Sequence, residues 1–146
     1  MNEFLRHLET PQAQALYSNL DERWDNRAAR LNKHLRDKAL PVQVANMSSI
    51  WTVCYTRPSR HNWMLQYYLR AEGLALSWIG TGRLIFSLNY TDGDFDTVAA
   101  KFVAACRAME RDGWWWHDPA ATNRSIKRTI LKEMIAHRFF TKRDHP

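Results

Sequence analysis

Six lysines come first in any search for carbonyl chemistry, because a Schiff base needs an amine that can lose its proton. Lys33, Lys38, Lys101, Lys127, Lys132 and Lys142 all fall in helical patterns or in a basic tail, among charged neighbours. A solvated surface role is the expectation for each. The six histidines show neither i, i+4 pairing nor a His-Glu-x-x-His run, so zinc chemistry is not expected. Cys54 and Cys106 follow no metal or redox spacing, and two isolated thiols are expected to stay reduced in a cytoplasmic protein. No Gly-x-Ser-x-Gly elbow is present. Gly80 and Gly82 read as a turn rather than a phosphate cradle. Asn46, Asn89 and Asn123 match the glycosylation pattern, which is read as chance in a chain with no visible secretory signal. Arg83 lies between the Gly80–Gly82 turn and a strand, where a solvated turn arginine is the plain reading.

The elements that must position these groups follow from periodicity. Residues 11–38 read as one long helix with Leu16, Leu20, Trp24, Leu31 and Leu35 on its apolar stripe. Pro11 suits its first turn and Leu40-Pro41 ends it. Phe4, Leu5 and Leu8 before it read as the remnant of a preceding helix with no start signal, so Met1 is open to being an internal methionine. Residues 42–46 and 49–56 read as a strand pair. Trp51, Val53 and Tyr55 share one face, Ile50, Thr52 and Cys54 the other, and both faces are open to burial. Residues 62–72 form a helix that is apolar nearly all round apart from Asn62, Gln66 and Arg70, which points to another domain or subunit against it. A short strand at 74–78 and a longer one at 84–90 follow. Thr91 then caps a helix with Asp92 and Asp94 in its first turn, and Asp112-Gly113 stops it. Trp114-Trp115-Trp116 marks a junction. An amphipathic helix from about 123 to 138 carries Ile126, Ile130, Leu131, Met134 and Ile135. The order predicts an α+β fold: a small, mostly antiparallel sheet with helices packed on one face, plus a C-terminal tail helix.

At 146 residues, 45% of them hydrophobic, the chain is the size of one domain and has enough apolar side chain for a real core. No run is long enough to span a bilayer. The net charge is +6, and between Arg124 and Asp144 seven Lys/Arg face only Glu133 and Asp144. The basicity therefore belongs to the tail, not to the folded body.

The segment Glu72–Asp96 adds something composition does not. Gly73, the run Ser87-Leu88-x-x-Thr91 and the trio Asp92, Asp94 and Asp96 resemble the end of a class III (fold-type I) pyridoxal-phosphate-dependent aminotransferase, most nearly its glutamate-1-semialdehyde aminomutase branch. The long helix and the hairpin LPVQVANMSSIWTVCYT are similar to the start of that family's C-terminal small domain. The resemblance covers roughly residues 5–112, taken as residues 1–112 with 1–9 the helix remnant. Residues 113–146, the Trp-rich junction and basic tail helix, lie outside it.

The resemblance implies a division of labour. The small domain closes over an amino-acid-like substrate and helps build a homodimer. A separate large domain, missing here, supplies the Schiff-base lysine and holds pyridoxal 5'-phosphate, so the chain alone is expected to bind no cofactor and to be non-catalytic. Arg83 falls where many members carry an arginine for a substrate carboxylate. Two departures leave aminomutase versus transaminase open: no acidic residue stands near Gly82, and Phe86-Ser87 replace the usual two prolines. Trp63, Tyr67, Tyr68 and Trp78 are read as core or interface packing before any role at a substrate opening. The Trp triplet is read as packing against the missing large domain or as an interdomain or membrane-surface anchor. The rival reading is a stand-alone module whose basic tail helix binds nucleic acid, an anionic membrane or a protein partner. Neither nucleic acid nor membrane is favoured, because the commoner meaning of such a tail is a solvated face.

Overall fold

The computed structural model describes residues 2–76 and 82–140, with backbone alone at Asn2, Phe4, Phe139 and Phe140. Three helices open the chain: α1 (Asn2–Leu8), α2 (Pro11–Tyr17) and α3 (Leu20–Asp37). The single helix expected over 11–38 is therefore two. Ser18 is extended and its N–H still closes on the Gln14 carbonyl, while Asn19 takes a left-handed φ of 53°. Asparagine tolerates that conformation better than most residues. Leu16 and Leu20 are both half-buried on either side of the break, so the apolar spacing of four persists across it.

Trp24, Ala28, Leu31 and Leu35 form the buried stripe of α3. The helix ends in a Schellman-type closure: the Leu40 N–H reaches the Leu35 carbonyl, with Ala39 at a left-handed φ of 54°. The chain then enters β1 (Val42–Met47), turns at Ser48-Ser49 and returns as β2 (Ile50–Tyr55). β3 (Arg83–Ile85) adds antiparallel to β2, giving the order β1-β2-β3. Val44 pairs with Val53, Thr52 with both Ala45 and Arg83, and Ile50 with both Met47 and Ile85.

Alternation along these strands sends Val42, Val44, Trp51, Val53 and Leu84 inward, all buried. α3 and α5 (Asp92–Arg111) lie on that face. Trp24, Trp51, Phe86 and Phe95 meet there with ring centroids 5.2–6.4 Å apart. α5 contributes Phe95, Val98, Ala99, Phe102, Cys106 and Met109, the spacing the sequence carries. A 3-10 turn at Asn62–Met64 leads into α4 (Leu65–Ala71), which packs Leu65 and Leu69 against α5. The architecture is thus α+β, with helices on one face of a small antiparallel sheet.

Two strand expectations change. Residues 74–76 are not strand, and residues 77–78 of the expected 74–78 strand lie outside the described residues. The strand expected over 84–90 stops at Ile85. Phe86 still bonds the Ser49 carbonyl and points inward, but Ser87–Tyr90 closes a turn, with the Tyr90 N–H on the Ser87 carbonyl. That turn delivers Thr91 to the start of α5. The second face of β2 is also not covered by this chain's described residues: Ile50 is exposed, and Thr52 and Cys54 are half-exposed. The tail forms α6 (Asn123–Phe140), two residues longer at its end than the apolar pattern suggests.

Candidate functional site

Arg83 opens β3 and its side chain is exposed on the uncovered sheet face. Strand alternation places Arg83 and Ile85 together there. The β2 partners Thr52 and Ile50 stand beside them, with Ala45 and Met47 on β1 beyond. All of these but Ile85 border a shallow depression of about 420 Å³. Met47 and Ile85 are 74% and 70% exposed, so the face is largely apolar with one cation at its rim. Among the described residues nothing pairs with the Arg83 guanidinium.

The ground behind this face is firmly held. Thr91 and Asp94 form a reciprocal capping box at the start of α5. The Thr91 hydroxyl and N–H both donate to the Asp94 carboxylate, at 2.7 and 2.9 Å, and hold its pKa below the usual carboxylate range. Arg27, only 3% exposed, reaches across from α3. Its Nε donates to Asp92 Oδ1 at 2.9 Å and its Nη2 to the Tyr90 carbonyl at 2.8 Å, while its Cζ lies 4.6 Å from the Trp24 ring centroid. The turn that follows β3 is therefore tied to the core by a buried cation whose remaining Nη1 has no hydrogen-bond partner among the described residues. Sequence reading missed this clamp. Its signal was available: Arg27 sits inside the apolar stripe between Trp24 and Leu31, where a cation needs a reason.

The other side chains singled out from sequence are dispersed. Tyr68 donates to Asp112 Oδ2 at 2.6 Å, and burial together with that carboxylate pushes its pKa up to about 12. It is a structural tie between α4 and the end of α5. Trp63 and Tyr67 form an exposed edge-to-face pair on the outer side of α4. Trp78 lies outside the described residues. Cys106 is buried on the inner face of α5, and burial raises its pKa; Cys54 is half-exposed, and both thiols are free.

The Trp triplet splits. Trp115 is half-buried and donates its indole N–H to the Cys106 carbonyl at 3.0 Å. Trp114 and Trp116 flank His61, at ring separations of 5.2 and 6.2 Å. Ser59 donates to the Trp116 carbonyl, and Arg60 holds Glu133 of α6 through two hydrogen bonds of 2.8 and 3.1 Å. Trp114 and Trp116 thus pack against this chain's own Ser59–His61 loop, and Trp115 against α5 and Tyr55.

Among the described residues no group of three or more His, Cys, Asp or Glu is placed to hold a metal ion, and no helix is long and apolar enough to cross a membrane. No protein-family model matches the chain, and no curated protein matches its sequence.

Proposed function

We propose that this chain is the C-terminal small domain of a class III pyridoxal-phosphate-dependent aminotransferase or aminomutase, working in the cytoplasm as part of a homodimeric parent. The observation that carries the reading is Arg83: a guanidinium that nothing pairs with among the described residues, on a sheet face that those residues leave uncovered. In such an enzyme a large domain closes over this face, and Arg83 holds a carboxylate of an amino-acid-like substrate. The planar fork can bond both carboxylate oxygens and stays charged at any working pH. Closure would also remove Met47, Ile50 and Ile85 from water and lower the dielectric around that ion pair, which strengthens it.

Among the described residues no lysine fits a pyridoxal phosphate site. Lys33 is paired with Asp37, Lys38, Lys127 and Lys132 are exposed, and half-buried Lys101 borders an open cleft beside Gly73. The chain's contribution is to orient substrate and exclude water, not to carry the cofactor.

The reading is tested first in the DNA upstream of the Met1 codon. An in-frame stretch encoding a large domain with its lysine is expected; a stop codon followed by unrelated sequence argues against a parent enzyme. In the complete parent, Arg83→Gln should raise KM for the carboxylate substrate by about 10- to 100-fold, the loss of a charged hydrogen-bonded pair. Arg83→Lys should recover part of it. Reducing a mixture of the isolated chain and pyridoxal phosphate with borohydride, then mapping the labelled peptides, gives an independent check: stoichiometric labelling of one lysine would sink the division of labour.

A further inference from the structure

α6 has two different sides. Ile126, Ile130 and Glu133 recur at intervals of four and three and face the body, where Glu133 is held by Arg60 and the two isoleucines line a cleft of about 390 Å³ with Pro58 and Trp116. The opposite side carries two stripes at the same helical spacing. One is Arg124, Arg128, Leu131 and Ile135. The other is Lys127, Leu131, Met134 and Arg138. Leu131, Met134 and Ile135 are 56%, 64% and 49% exposed. Glu133, the one acidic residue of α6, is already neutralised by Arg60.

We propose that this outward side of α6 docks an acidic amphipathic helix of a partner protein. The order of residues around the helix decides the partner class. Lys127 and Arg138 lie between Met134 and Leu131, and Arg124 lies between Leu131 and Ile135. A helix that settles on an anionic bilayer keeps its apolar sector unbroken and its cations at the borders, so immersion here would drag charges into the apolar layer. A nucleic acid would satisfy the cations and leave three large apolar side chains facing a wet, charged backbone. A helix with leucines flanked by glutamates matches both components, apolar against apolar and carboxylate against guanidinium. The docking does not depend on whether a large domain precedes the chain.

The test uses the full chain and three probes: a fluorescent synthetic peptide with leucines at spacings of three and four flanked by glutamates, vesicles of anionic phospholipid, and duplex DNA. Saturable peptide binding is expected, weakening about tenfold or more at high salt and in Leu131→Ser/Met134→Ser. The charge swap Arg124→Glu/Arg128→Glu should abolish binding of the acidic peptide and restore it to a peptide with lysines in place of glutamates. A merely structural role for these arginines would give no such exchange. Thermal melting should match the parent chain, since these residues touch no core. No peptide binding, binding insensitive to the charge swap, or tighter binding to vesicles or DNA than to the peptide each overturns the proposal.

Discussion

Thr91 shows how much one side chain can settle. Its hydroxyl accepts the Asp94 N–H and donates to the Asp94 carboxylate, so one residue satisfies orphan groups at the start of a twenty-residue helix. Thr91→Ala should cost about 1 kcal/mol, measurable by urea unfolding. The Asp94 carboxyl has its pKa lowered from 3.8, chiefly by the Thr91 side chain and then its backbone. A lowered folded pKa means stability present above the unfolded value and lost as pH falls through the folded one. Acid unfolding of the native chain below pH 3.8 should therefore be steeper than that of Thr91→Ala. Ala39 gives the opposite sign. It holds a left-handed φ of 54° without being glycine, and Ala39→Gly should stabilise by about 0.5–1 kcal/mol in the same assay. The cap was legible in the sequence because Thr-x-x-Asp before an apolar run has a mechanism. Ala39 was not, since nothing in the residue announces a left-handed turn.

At the scale of elements, periodicity served best where one face of an element is buried. The stripes of α3 and α5 stand as their spacing implies, and of the two β2 rows, both open to burial, Trp51, Val53 and Tyr55 are the one that faces the core. It served worst where local hydrogen bonds interrupt an unbroken pattern. Leu16 and Leu20 keep helical spacing across the Ser18-Asn19 break, and Leu88 and Tyr90 keep strand alternation through a turn. The position of Arg83 on a strand edge was readable; the uncovered face around it was not, because pairing partners on β1 and β2 decide it. The clamp from Arg27 to Asp92 and Tyr90 was likewise invisible as a contact, since its ends are more than sixty residues apart. It ties α3 to the start of α5, so Arg27→Ala should remove about 2–4 kcal/mol by leaving a cavity and an unsatisfied carbonyl. Arg27→Lys should recover little, because an ammonium cannot span both acceptors in one plane.

For the whole molecule, the uneven distribution of apolar surface matters most. One side of the sheet is packed under α3 and α5, and the other presents Met47, Ile50 and Ile85 to solvent. The isolated chain should bind the dye ANS in its native state, and Met47→Gln/Ile85→Thr should diminish that fluorescence while shifting stability by no more than about 0.5 kcal/mol. Unchanged fluorescence in the double variant would place the exposed apolar surface elsewhere, on α6 or on the Trp63–Tyr67 pair.

Asn32 has a consequence for how copies of this chain meet. Its amide nitrogen donates to the Val44 carbonyl and its amide oxygen accepts from the Val44 N–H, both at 2.8 Å. A side chain thus imitates a rung of ladder along the margin of β1, where a foreign strand would otherwise add. That one rung is in effect stoppered, so a foreign strand would have to displace Asn32 to pair there. Asn32→Ala would pull the stopper, and thioflavin-positive aggregation on warming should begin sooner in that variant than in the native chain.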